Sequence, residues 1–230
     1  MKEILSNSVF FGVMVSILAY ELGVLVKKKL KLAVCNPLLI SIVAVMVILA
    51  LFRVDYETYE EGAHLLSYLL TPATVCLAIP LYEQISLLKK NAGAIMAGIL
   101  SGVLTSLVSI LIMALLFGFT HEEYVTLLPK SITTAIGMGV SEELGGIVTI
   151  TVAVIIVTGI LGNVIAEYVF RLFGIEEPVA KGIALGSASH AIGTARAMEI
   201  GETEGAMSSL SIAVAGLLTV VGASVFARFL

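Results

Sequence analysis

Polar and apolar positions along this chain come in long blocks rather than in alternation. Uncharged stretches run from Ile4 to Tyr20, Leu32 to Phe52, Leu65 to Tyr82, Asn91 to Thr120, Leu144 to Ala166, Gly182 to Ala195 and Gly205 to Ala227. A spanning helix needs about 20 mainly apolar residues, and most of these blocks reach that length while two are marginal. The pattern predicts an all-α polytopic membrane protein with about seven crossings.

Composition agrees. Hydrophobic residues make up 59% of the chain, mean hydropathy is +1.08, and 13% of residues are charged, against roughly a quarter in a soluble domain. A lipid bilayer is therefore the expected surrounding. Cys35 and Cys76 lie in or beside apolar segments without metal-ligand spacing, so no metal, cofactor or redox centre is expected. The first block reads as a retained helix, since only Lys2 precedes it and no small-x-small cleavage site comes before Glu21. Nothing divides the chain, so one transmembrane domain over residues 1–230 is expected. The basic residues form no face that tracks a phosphate backbone, which excludes nucleic acid as a partner. There is no HExxH, GxSxG, Walker or Rossmann pattern in a suitable context, and an enzyme is not expected.

Charge between the blocks sets an orientation. Lys27, Lys28, Lys29 and Lys31 follow the first block, Asp55, Glu57, Glu60 and Glu61 the second, Lys89 and Lys90 the third, and Glu122 and Glu123 the fourth. Basic loops stay cytoplasmic, so the N-terminus is expected outside the cytoplasmic membrane. Arg171 and Lys181, then Glu199, Glu202 and Glu204, then Arg228 continue the alternation only if the segment between Glu123 and Leu144 returns to the side it left. Lys130 interrupts that segment, and the uncharged run from Ser131 to Ser141 covers about half a membrane. A re-entrant hairpin is preferred, with a short ordinary crossing as the alternative.

With that hairpin in place, residues 32–120 and 144–228 form two inverted triples of crossings. The middle member of each is short and interrupted: Pro72, Thr74 and Pro80 fall in one, and Gly186, Gly193 and Gly201 in the other. Paired Gly/Pro-broken segments in corresponding positions of two halves point to a transporter binding site. "SITTAIG" from Ser131 and "SASHAIG" from Ser187 echo one another, and Gly137 closes the first echo as Gly193 closes the second. Ser131 and Thr134, and likewise Ser187, His190 and Thr194, recur at helical spacing that lines one face with hydroxyls. Half-helices starting near Ser131 and Ser187 would present free N–H groups and positive dipole ends at membrane depth. Lys130, Ser131, Thr133, Thr134, Ser187, Ser189, His190, Thr194 and Arg196 are the candidate substrate-binding residues, and a compact hydroxy or oxo monocarboxylate fits them. An Arg196–Glu199 pair at i, i+3 is an equally good account of that arginine. His190 titrates nearest physiological pH, and with Glu142 and Glu143 it makes proton coupling chemically available. Gly98 and Gly102 read as close helix packing.

Three segments carry a resemblance: "TPATVCLAIPLY" from Thr71, "LPKSITTAIGMGVSEELGG" from Leu128 and "GSASHAIGTARAMEIGETEGAMSSLS" from Gly186. At these the chain resembles the LrgB/CidB (YohK-like) family along essentially its whole length. Ala135 stands where the family often has proline, and Arg196 where it often has lysine. The resemblance implies a small LrgA/CidA-like membrane partner. It implies either carriage of glycolate, glycerate or pyruvate, or holin/antiholin-like regulation of murein hydrolase activity and lysis. The paired interrupted segments favour carriage, with the lysis regulator as the alternative. Homo-oligomerisation stays open.

Overall fold

The computed structural model describes residues 10–30, 37–69, 72, 75–76 and 78–230. Every regular element among them is helical, as the block pattern requires, and they fall into two compact units, Met1–Cys76 and Leu77–Leu230.

In the first unit, α1 (Phe11–Leu30) carries Lys27, Lys28 and Lys29 in its last turn, where they complement the helix dipole. The second helix, α2 (Pro37–Phe52), is 16 residues of unbroken apolar sequence, about 24 Å long and so short of the hydrocarbon thickness. The third, α3 (Tyr56–Tyr68), starts after a reversal at Arg53, whose φ is 48°. It crosses α1 closely at Gly12, where a Cβ would strike the backbone of Tyr59 and Ala63. The Ser16 hydroxyl lies 2.7 Å from that of Tyr59.

In the second unit α4 (Ala78–Glu83) holds Pro80, and because α3 stops at Tyr68 the expected crossing from Leu65 to Tyr82 is not one helix. Pro72 is helical and exposed; Thr74 lies outside the described residues. Then comes α5 (Ile85–Phe117), kinked at Asn91, whose amide turns back to donate to the Leu87 carbonyl at 3.1 Å. The left-handed Gly118 ends it. Short α6 (His121–Leu127) and α7 (Thr134–Glu143) follow, then α8 (Val148–Leu172), α9 (Pro178–Ile200) and α10 (Glu202–Phe226) with a 3₁₀ turn, Ala227–Phe229. Ile85–Phe117, Val148–Leu172 and Glu202–Phe229 are long and apolar enough to cross a membrane. On α5, Ile95, Ile99, Val103, Leu107, Ile110 and Ala114 recur every three or four residues and are buried together with Ile183, Met207, Ala215 and Ala223. The neighbouring stripe Met96, Leu100, Leu104 and Val108 is 41–46% exposed. An apolar outer face of this length suits lipid rather than water. The chain is an all-α polytopic membrane protein.

Two segments double back. The chain leaves α6 at Thr126 and is beside it again at Ile147, whose N–H donates to the Thr126 hydroxyl at 2.8 Å, while Thr151 Oγ1 lies 2.9 Å from the Thr126 carbonyl oxygen. The segment between them is therefore a hairpin returning to its starting level. The second hairpin corrects an expectation. Gly182–Ala195, read as a crossing from its uncharged length, belongs to a helix that folds back at His190, with φ 42° and ψ −136°. Its outgoing arm, 178–189, runs beside the start of α10: Gly182 and Gly186 sit against the Glu204 and Ser208 carbonyl oxygens. Its returning arm, 191–200, lies against the same stretch in the opposite sense, with Thr194 Oγ1 2.7 Å from Ser208 Oγ and Met198 against Gly205. Gly193 rests on the Leu185 carbonyl, eight residues earlier in the chain, a contact that a continuous helix forbids. Glu199 and Glu202 consequently lie at the Arg171 end of α8, and the charge alternation expected in the second half is broken there.

Candidate functional site

The hairpin tips meet between the middles of α5 and α8. On α5, Ser131 Oγ lies 3.2 Å from Ser106 Oγ, and Ser187 packs on Gly102, where a Cβ would come 2.9 Å from its hydroxyl. Those two positions are one helical turn apart, about 6 Å along the axis. On α8, Ile155 serves both tips. Its Cδ1 fills the space over Gly137, and its carbonyl oxygen lies 3.0 Å from His190 Nε2. A carbonyl only accepts, so Nε2 carries the proton and a neutral His190 leaves Nδ1 as an acceptor.

Each tip turns by a different local device. At the first, Pro129, Lys130 and Ser131 form the bend and Thr133 stands as the extended N-cap of α7. At the second, His190 adopts a backbone conformation that side chains with a Cβ disfavour. Two glycines of α8 make room for it. A Cβ at Gly159 would come 2.8 Å from the His190 ring, and one at Gly162 would overlap Ser189. Both α7 and the returning arm therefore begin at the meeting point, each with N–H groups lacking intrahelical partners.

The remaining candidate residues divide. Lys130 is half-buried and its Nζ donates to Ser131 Oγ at 2.9 Å. Thr133 and Thr134 are half-buried at the start of α7, and Ser189 is buried. Thr194 Oγ1 donates to the His190 carbonyl at 3.1 Å and meets Ser208. Because the backbone breaks at His190, Ser187, His190 and Thr194 do not share one helical face: they contact α5, α8 and α10 respectively. Ser131 likewise precedes α7 and shares no face with Thr134. Arg196 is held by Glu167 of α8 and Glu199 of its own arm, so the ion-pair account of that residue describes its contacts. Glu142 and Glu143 are exposed at the far end of α7, a helix length from its tip, and are not brought to His190.

Sequence reasoning missed Ser106, Gly159, Gly162, Asn163 and Ser208. Asn163 Nδ2 donates to the Ile192 carbonyl at 3.1 Å and ties the returning arm to α8. In an apolar block these residues are single small or polar positions without spacing that marks them. Gly98 and Gly102 face Ile183 and Ser187 across a close α5–α9 contact, so their GxxxG spacing is used inside the chain.

A family model described as the LrgB-like family matches residues 16–229. Proteins named antiholin-like protein LrgB from Bacillus mycoides, Bacillus cereus and Bacillus anthracis are each 36% identical to this chain over 222 residues, covering 96% of both chains. No solved structure matches.

Proposed function

The chain belongs to the LrgB-like family, and from that premise we propose that it acts in a bacterial cytoplasmic membrane as an antiholin-like protein. With a small LrgA/CidA-type membrane partner, it restrains murein hydrolase activity and lysis. The observation carrying this reading is the extent of the likeness, which runs through 96% of relatives bearing that name. The comparisons reverse the order preferred from the interrupted segments alone, where carriage came first.

One observation keeps carriage of small monocarboxylates as the second reading. Two hairpins that double back from opposite ends of α8 meet tip to tip, and non-helical backbone at membrane depth is tolerated where it is buried in protein or lines a wet cavity. On this reading a carboxylate lies between the starts of α7 and the returning arm, near Lys130, Ser131, Thr133, Thr134, Ser187 and Ser189. His190 serves any proton coupling, and Arg196, Glu142 and Glu143 drop out of the set. Basic residues keep the Arg171 end cytoplasmic, so the first hairpin enters from outside.

Expression with and without the partner, scored by autolysis rate, is paired with uptake of labelled glycolate, glycerate and pyruvate into proteoliposomes of the purified chain. Slower autolysis without saturable uptake is expected. Saturable uptake that falls in His190→Ala, with autolysis unchanged, refutes the antiholin reading in favour of the carrier.

A further inference from the structure

The returning arm of the second hairpin, residues 191–200, meets α8 along a seam where Ala197 clusters with Ala166 and Phe170 in a small apolar patch and a handful of polar contacts make the remaining ties. At its deep end the His190 ring reaches the Ile155 carbonyl, and Ser189 lies on the bare backbone of Gly162. Midway, Asn163 holds the Ile192 carbonyl. At its outer end Arg196 bridges Glu167 and Glu199, while Glu167 also lies 3.5 Å from Arg171. The side chains of Arg196, Glu167 and Glu199 are 22%, 46% and 50% exposed, so this cluster stands at a wet rim. A cavity lined by Glu167, Arg171, Glu176, Lys181 and Ile200 opens in front of it. The other seam of the hairpin is built differently: Gly182 and Gly186 seat directly on α10 backbone oxygens, a contact of van der Waals packing without charge. The arm is also jointed at both ends, by the positive φ of His190 and by extended Gly201 at φ −179°.

We propose that the Arg196–Glu167 pair is a latch on this seam. While it holds, the returning arm lies flat on α8 and seals Ser189. When it breaks, the arm stays with α10 and parts from α8, pivoting at His190, and opens a wet path from the Arg171 end toward the hairpin tip. The pair suits such a role because it is half in water, where an ion pair is strong enough to bias a position and weak enough to exchange.

The test uses the full chain in proteoliposomes of both orientations, with Cys35 and Cys76 replaced by serine and Ser189→Cys as reporter. The rate of its modification by a charged, membrane-impermeant methanethiosulfonate is read. Arg196→Gln and Glu167→Gln are each expected to raise that rate about two- to fivefold, while Arg196→Lys, which keeps the charge, and Arg171→Gln, which leaves the arm's own contact intact, stay near the parental rate. A second reporter, Ser211→Cys on the α10 seam, is expected to stay slow throughout. A parental rate in either glutamine variant overturns the latch. So does acceleration in Arg171→Gln or at the Ser211 reporter, because either means general loosening. The readout needs neither substrate nor partner protein, so it stands or falls apart from the functional reading above.

Discussion

Replacing His190 by glycine and by alanine tests the second hairpin directly. Both variants lose the ring and its bond to the Ile155 carbonyl, so their difference isolates the backbone. In a continuous helix alanine is favoured over glycine by about 1 kcal/mol from chain entropy and by about 0.8 kcal/mol more for the buried methyl. At φ 42° and ψ −136° the alanine Cβ carries strain of about 1–3 kcal/mol that glycine does not. The two effects largely offset, and His190→Gly is expected to fall between about 0.8 kcal/mol less stable and about 1.2 kcal/mol more stable than His190→Ala. Reversible unfolding of the purified variants in mixed micelles, followed by far-UV circular dichroism, measures the difference. If alanine proves more stable by about 1.8 kcal/mol, residue 190 sits in an ordinary helix. The fold-back is then refuted, with everything argued from the two tips.

Two further predictions follow from close contacts and caps. Gly186→Ala places a methyl against the Ser208 backbone oxygen, which has no side chain to move aside, and is expected to cost about 1–3 kcal/mol; Gly139→Ala, with nothing within 4 Å, is expected to stabilise α7 by about 0.5–1 kcal/mol in the same unfolding assay. At the start of α6 the Thr120 N–H donates to the Glu123 carboxylate at 2.8 Å and holds it below the usual carboxylate range. This contribution is fully present above the unfolded value of about 4.3 and is lost as pH falls through the lower folded value. The protection factors of amides 120–127, each referred to the intrinsic exchange rate at that pH, are thus expected to fall on acidification in the parent and to show no such step in Glu123→Gln.

What the sequence made legible was whatever depends on bulk partitioning. The blocks 91–120, 144–166 and 205–227 match long helices because lipid exposure demands apolar side chains all along them. The segment around Lys130 was readable as a returning hairpin because a charge halfway through a short block leaves too little apolar length to cross. The block 182–195 was not readable in the same way. It carries no charge, and its fold-back depends on one histidine's backbone angle and on Gly159 and Gly162 in another helix, which no local pattern announces. For the same reason helical spacing misplaced Ser187, His190 and Thr194 on one face. Arg196 was open between two roles because its decisive partner, Glu167, lies 29 residues away.

The second hairpin also constrains how the chain is made. Its arms are 12 and 10 residues (178–189 and 191–200) and carry Lys181, Arg196 and Glu199, too short and too charged to partition into lipid on their own. Both arms bed on α10, which is synthesised last. A ribosome-bound chain that ends before Glu204 therefore has nowhere to bury Gly182, Gly186 or Thr194. Membrane insertion of α8 must precede the hairpin, and the hairpin must wait at the membrane surface until α10 arrives to draw it in.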